Sequence, residues 1–494
     1  MKLNQIVMFG ILCGAARHGY AAESPAVIQA AKIGDVKAAA ALVKQRANLN
    51  ATEVDGTTAL HWAAHRNDLA MADLLLKAGA NATLANAYGI TPLAEAVANG
   101  SPKLTELLLT AKADPNAPSA EGEPPILLAA RSGSVETVKI LLAHGANPNV
   151  SESWKGQTAL MWAAAANRAE VVTALLEKGA DPNAHSKLWP REKIKRPANG
   201  NLVSERPQGG LTPLLYAARE GSIDAARALI QGKADLNFPD PDGTSPVVVA
   251  LLNAHYDLAA LLLESGANPN TADKYGRAAL YAAIDMNSLE PSVTRPAPKE
   301  NDKLTAFDVV RLALNRGANP NAQLTDALPG RGLSDFTDPI LRAGVTPFFR
   351  AAKTGDVAAM RLLLDHKADP MIATKDKVTP LMAASGFGWR YGDSQVPEAA
   401  ALAAVKLCIE LGMDVNAANE IGETPLHGAA LRGADSIAQY LFDHGAKLDA
   451  KDKRNRTPLA IAAGDENRGS PGYPSTAALL RKLMGDPAQR SQRQ

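Results

Sequence analysis

A short motif returns along this chain at a fixed interval, and a fixed interval leaves few folds open. Its first full copy is Gly56-Thr57-Thr58-Ala59-Leu60-His61-Trp62-Ala63-Ala64. Similar stretches begin at Gly89, Gly156, Gly210, Gly243, Gly276, Gly344 and Gly422. Thr58 and Thr91 stand 33 residues apart, as do Thr212 and Ser245, Ser245 and Ala278, and Thr346 and Thr379. Each copy leads into a leucine-rich stretch such as Leu74-Leu75-Leu76 or Leu362-Leu363-Leu364, and Gly-Ala-Asn units close several of them, as at Gly79, Gly145 and Gly266. A unit this short buries its apolar faces only against copies of itself. The 494 residues therefore read as one repeat array rather than as the about three globular domains that length alone suggests.

The local chemistry of the unit is helix–turn–helix. Thr58 or Thr91 supplies a hydroxyl to an orphan N–H at a helix start. Pro92 and Pro425 fit the first helical position, where no N–H partner is lost. Leu and the following Ala pair form one apolar stripe of a short helix, and the leucine triplets form that of a second. Gly79, Gly145 and Gly412 fall where a helix end requires a left-handed residue. Hydrophobic residues make up 46% of the chain but aromatic residues only 4%, so the packing is between small side chains.

This period, with its Thr-Pro-Leu-His-x-Ala wording, resembles the ankyrin repeat. The resemblance covers about residues 24 to 485 in about twelve copies. It implies an all-α ankyrin-repeat solenoid of helix–turn–helix repeats with short β-turn fingers and several loop insertions. It also implies that His61 and His427 bond within and between repeats, and that partners are held by turn tips and by exposed positions of the inner helices. Carried onto this sequence, the tips give Tyr88, Trp154, Lys155, Lys274 and Tyr275 as partner-binding candidates. The exposed positions after the Ala pair include His65, Arg66, Arg131, Arg219, Glu220, Lys353 and Arg432, of which Arg66, Arg131, Arg219, Lys353 and Arg432 are taken as partner-binding candidates. Basic residues dominate this set, which favours an acidic protein surface as partner. Lys377 and Asn455 replace the tip glycine, so those two tips are expected to differ in shape. Pro124-Pro125 replaces Thr-Pro and loses the hydroxyl cap.

The 33-residue step is broken by insertions. Finger inserts are expected at 185–208 and 322–343, and inter-helix inserts at 286–303, 386–397 and 464–474. The first carries Lys187 to Arg196, five basic residues around Trp189. The 386–397 insert carries Trp389, Arg390 and Tyr391. Aromatics and Arg are the usual anchors of an interface, so Trp189, Trp389, Arg390 and Tyr391 join the candidates. Tolerated loop growth and self-packing are the competing readings.

Residues 1–22 read as a secretory signal peptide: Lys2, an apolar run from Ile6 to Ala16, then small residues near Ala21-Ala22. Cys13 raises lipidation, although Leu12 stands where a small residue is needed. Residues 23–485 then form the solenoid, and 486–494 a disordered tail. No segment is expected to span a membrane. Two cysteines exclude a disulfide framework, and Cys408 is expected in the core.

Candidate chemistry is thin. His61 and His65 stand at i, i+4 without the further ligands a zinc site needs. Asp240-Pro241-Asp242-Gly243 lacks the remaining ligands of a calcium loop. No phosphate loop or hydrolase motif accompanies them, so no enzyme, metal or cofactor is expected. The net charge of +1 gives no global field for nucleic acid. The expectation is a monomeric, non-catalytic protein–protein interaction scaffold of the bacterial cell envelope, exported and foremost periplasmic, with extracellular location second. A secreted effector or toxin component, and an enzyme with a site built from the inserts, stand as alternatives.

Overall fold

The computed structural model describes residues 24–189, 209–288, 296–328, 340–388, 396–464 and 472–485. The expected signal peptide, most of the basic stretch 187–196, the residues Trp389, Arg390 and Tyr391, and the tail 486–494 lie outside the described residues. Two compact units are present: Met1–Pro125 with Ala143–Gly145, and Ile126–Leu142 with Ala146–Gln494.

The described residues form twelve helix pairs, numbered here as repeats 1 to 12. In the first unit these are Ala26–Ile33 (α1) with Val36–Lys44 (α2), Ala59–His65 (α3) with Leu69–Lys77 (α4), and Pro92–Ala98 (α5) with Pro102–Thr110 (α6). Repeats 4 to 6 are Pro125–Ser132 (α7) with Val135–Ala143 (α8), Ala159–Ala165 (α9) with Ala169–Glu177 (α10), and Pro213–Glu220 (α11) with Ile223–Gln231 (α12). Repeats 7 to 9 are Pro246–Leu252 (α13) with Tyr256–Glu264 (α14), Ala279–Asn287 (α15) with Ala306–Asn315 (α16), and Pro347–Lys353 (α17) with Val357–Asp365 (α18). Repeats 10 to 12 are Pro380–Ser385 (α19) with Glu398–Glu410 (α20), Pro425–Arg432 (α21) with Asp435–Asp443 (α22), and Pro458–Ala463 (α23) with Pro474–Gly485 (α24). No strand occurs among the described residues; two isolated bridges, Thr52 with Thr58 and Ser151 with Thr158, mark the fingers.

The caps act as the sequence implies. The hydroxyls of Thr58, Thr91, Thr158, Thr212, Thr346, Thr379 and Thr457 each accept from the N–H three residues on. Ala278 has no such side chain, and α15 starts without a side-chain cap. His61 completes a reciprocal box: Thr58 N–H donates to its Nδ1 at 3.2 Å, and its Nε2–H donates to the Ile90 carbonyl of the next repeat at 2.9 Å. His427 repeats this with Thr424 and the Arg456 carbonyl.

The Asn of the closing unit sets the spacing of neighbours. Asn149 donates through Nδ2 to the Gly179 carbonyl at 2.9 Å and accepts the Asp181 N–H at 2.7 Å. The same acceptor role recurs at Asn50, Asn183, Asn237, Asn270 and Asn321. One amide side chain thus satisfies both a helix-end carbonyl and a neighbouring N–H.

One expectation, that two tips differ in shape, is corrected by this geometry. Lys377 and Asn455 adopt φ of 60° and 61°, left-handed like the tip glycines and just below the lowest of them, Gly156 at 65°. Their N–H groups donate to Thr374 and Asp452 carbonyls, as Gly56 does to Glu53. The ladder of turn bonds holds the shape and the side chain bears the strain. Part of the 322–343 insert packs inward, while Gln323, Thr325, Asp326 and Arg342 stay exposed. Leu324, Ile340 and Leu341 are buried with Tyr281, Phe349 and Met382, and Phe387 packs against them. Inner-helix side chains that would otherwise face solvent thereby join a core.

The inter-helix inserts also tie repeats together. Lys299 donates to the Glu220 and Gly221 carbonyls at the end of α11, at 2.6 and 3.0 Å. The N–H groups of Lys303 and Leu304 donate to Asp257 at the start of α14. The helix α20, which begins at Glu398 just after the 386–397 insert, has 13 residues where α18 of the preceding repeat has 9.

Candidate interaction groove

In the second unit, finger tips and inner helices of repeats 5 to 8 enclose a pocket of about 730 Å³. Its apolar floor comes from Leu215 on α11 and Val249 and Leu252 on α13. Tyr216 of α11 joins it, bonded through its hydroxyl to Gln157 Nε2 at 2.6 Å. Trp154, Lys155, Trp189, Asp240, Asp242 and Tyr275 form the finger side.

The tips are held in place by carboxylates. Glu152 accepts the N–H groups of Trp154, Lys155 and Gln157 at 2.6 to 2.9 Å. Asp240 accepts those of Asp242 and Thr244, both at 2.8 Å. Burial pushes the Asp240 carboxyl above its ordinary pKa, and those N–H bonds oppose the shift. Asp242 takes Lys274 Nζ at 2.7 Å, and this bond foremost holds the lysine above its ordinary pKa. Arg277 is bound at 2.7 Å to Asp273 of its own turn.

The extended finger closes at its base. Lys187 N–H donates to the Lys155 carbonyl at 2.8 Å, and Ser186 and Leu211 exchange backbone bonds through N–H, carbonyl and hydroxyl. A Cβ on Gly209 would lie 1.8 Å from the Lys187 carbonyl oxygen, so only glycine allows this approach.

The structure sorts the sequence candidates. Trp154, Lys155, Trp189, Arg219 and Tyr275 line this one pocket, and Lys274 stands on its rim through Asp242. Trp154 is 65% exposed and Trp189 40%. Tyr88 and Arg66 are exposed on the first unit. Arg131 is exposed but lies over Trp162, its guanidinium 5.2 Å from the ring centre, outside the pocket lining. Lys353 is half-buried. Arg432 is a correction: it is only 8% exposed and donates to the Val396 carbonyl, because the segment leading into the longer α20 covers it.

Tyr216, Gln157 and Asp240 were not anticipated. Tyr216 occupies the inner-helix position four after the capping Thr, which also carries Trp62, Trp162 and Val249. That column of large residues was the legible signal. Cys408 is buried, and desolvation pushes its thiol up to about 12. Among the described residues no group of His, Cys, Asp and Glu is arranged to hold a metal ion, and no helix is long and apolar enough to cross a membrane.

Comparison with known proteins agrees with this architecture. A model of ankyrin repeats (3 copies) matches residues 27–119, 93–186, 194–273 and 214–291. Models of ankyrin repeats (many copies) and of the single ankyrin repeat match 409–462 and 343–375. The chain is 28% identical over 250 residues to the mouse Ankyrin repeat and SOCS box protein 16, covering 51% of this chain and 47% of that protein. It is 29% identical over 268 residues to the mouse B-cell lymphoma 3 protein homolog, covering 53% and 50%. The chain thus spans about half the length of these curated relatives. The human ASB11 ankyrin repeat domain, a crystal structure, is 26% identical, with a TM-score of 0.39 over 48% of this chain and 96% of that one. The family models match more than half of the chain, and with the twelve helix pairs and their caps they place it in the ankyrin-repeat family.

Proposed function

We propose that this ankyrin-repeat scaffold holds a protein partner in the groove of repeats 5 to 8. The observation that carries the reading is the convergence of Trp154, Trp189, Tyr216 and Tyr275 with Lys155 and Arg219 on one concave pocket. Aromatic and basic anchors around an apolar floor are the composition of an interface centre. The insert packed on repeats 8 to 10 covers inner-helix surface there, which leaves less of that face for a partner. The reading takes the protein as a monomer with a protein, not a nucleic acid, as partner. No chemical step is assigned to it.

A photo-crosslinking amino acid at Gln157 tests the groove, with one at Asp73 on α4 as control. In cells of the source organism, a discrete adduct from Gln157 alone supports the reading. Equal or absent adducts from both positions refute it.

The reading includes export to the cell envelope, supported by the charge and hydrophobicity pattern of residues 1–22. The full chain fused at its C-terminus to alkaline phosphatase, which is active only outside the cytoplasm, tests this. Activity that disappears when residues 1–22 are deleted is the expected result. An inactive full-length fusion overturns export.

A further inference from the structure

We propose that the groove of repeats 5 to 8 takes a short acidic segment of its protein partner, with Asp or Glu side chains seated against Lys155 and Arg219. This rests on the groove being the interaction site. The acidic groups around it are already committed inside the fold. Glu152 and Asp240 each hold backbone N–H groups of their own turn. Asp242 is paired with Lys274, and Asp273 with Arg277.

The two basic groups differ from these. Lys155 Nζ lies 4.4 Å from the centre of the Trp154 ring, and the Arg219 guanidinium 4.9 Å from that of Tyr216. A cation–π contact orients a cation without neutralising it. Arg219 also meets Glu220, at 2.9 Å, in a pair whose side chains are both nearly half exposed. Such a surface pair is weak and exchangeable. The groove therefore presents two oriented cations, Lys155 and an Arg219 offset only by the exposed Glu220, beside the apolar floor of Leu215, Val249 and Leu252.

The same contacts argue against a cationic ligand. An aromatic cage for an ammonium group needs open ring faces. Trp154, Tyr216 and Tyr275 each already carry a cation of this chain over the ring. An entering cation would meet like charge. The volume of about 730 Å³ suits a few side chains, so the segment is short and pairs its carboxylates with an apolar residue.

A random-peptide display library panned against the full chain is the probe. Enriched peptides are expected to be richer in Asp and Glu than the unselected library. They should lose about tenfold or more in affinity when those residues become Asn and Gln, and weaken as salt is raised. Lys155→Glu with Arg219→Glu should turn the preference to Lys and Arg. Lys155→Gln with Arg219→Gln should remove it. Both residues are exposed, and a thermal melt checks that the fold survives. Peptides that need Trp154, shown by loss with Trp154→Ala, but are neutral or basic overturn the acidic class and leave the groove standing. A selection with no peptide dependent on Trp154, Lys155 or Arg219 overturns both.

Discussion

His61 offers the most direct measurement of how one repeat holds the next. His61→Ala removes the acceptor of the Thr58 N–H and the donor to the Ile90 carbonyl. Each bond contributes about 1 kcal/mol net, and a buried group left unpaired costs about 1–3 kcal/mol. Thr58 is almost fully buried, so its N–H has no water to turn to. The expected loss is about 2–4 kcal/mol. Burial holds the His61 imidazole below its ordinary pKa, while the bond to Ile90 pulls the other way. The folded ring is therefore neutral where the unfolded one begins to bind a proton. Stability from this residue is complete above about pH 6.5 and is lost as pH falls from there through the folded value. Hydrogen exchange of the α3 and α5 amides reads the local opening energy once intrinsic rates are corrected. Wild type should lose protection between about pH 7.5 and about pH 5.5, and His61→Ala should lose less over that span. A cost below about 0.5 kcal/mol, or an unchanged pH slope in the variant, refutes the box as an inter-repeat lock.

Three further outcomes are expected. Arg350→Met removes the guanidinium 2.8 Å from Asp285, in a pair 2% and 6% exposed; breaking this buried pair should cost about 3–5 kcal/mol in urea unfolding. Adding Asp285→Leu should recover most of that, and a double variant no better than the single one contradicts the coupling. Lys377→Gly relieves a left-handed backbone at φ 60° and should raise stability by about 0.5–1 kcal/mol, strain relief exceeding the added chain entropy; a lowered melting temperature counts against the strain. Cys408, buried with its thiol pushed up to about 12, should resist alkylation at about pH 8 until urea is added, so rapid labelling of the folded protein would show the helix pair opening.

Much of this architecture is legible in the residues because each device is local. The Thr–Pro start, the left-handed glycine and the Gly-Ala-Asn close act within a few positions of one another, and a 33-residue repeat states them again and again. The position of Cys408 follows from the same register, since it falls on the buried face of α20. Half of the groove is legible for the same reason: Trp154, Lys155 and Tyr275 are tips by register alone.

What the sequence could not decide is what the inserts do, because their partners are distant in sequence. Leu324 and Ile340 read as loop residues, yet they complete a core with Phe349 and Met382. Arg432 reads as an exposed groove position, yet the Val396 carbonyl lies on its guanidinium. Lys377 reads as a broken tip, yet backbone bonds of the turn hold it in the glycine conformation. Charge shows the division best. Composition gives near-neutrality, +1 overall. Only the packed tips pair Asp242 with Lys274 and Asp273 with Arg277, and so leave Lys155 and Arg219 as the cations that the groove presents. Local sequence sets helices, caps and period, since those depend on neighbours along the chain. Which side chains remain for a partner depends on neighbours across it, and tertiary contact alone decides that.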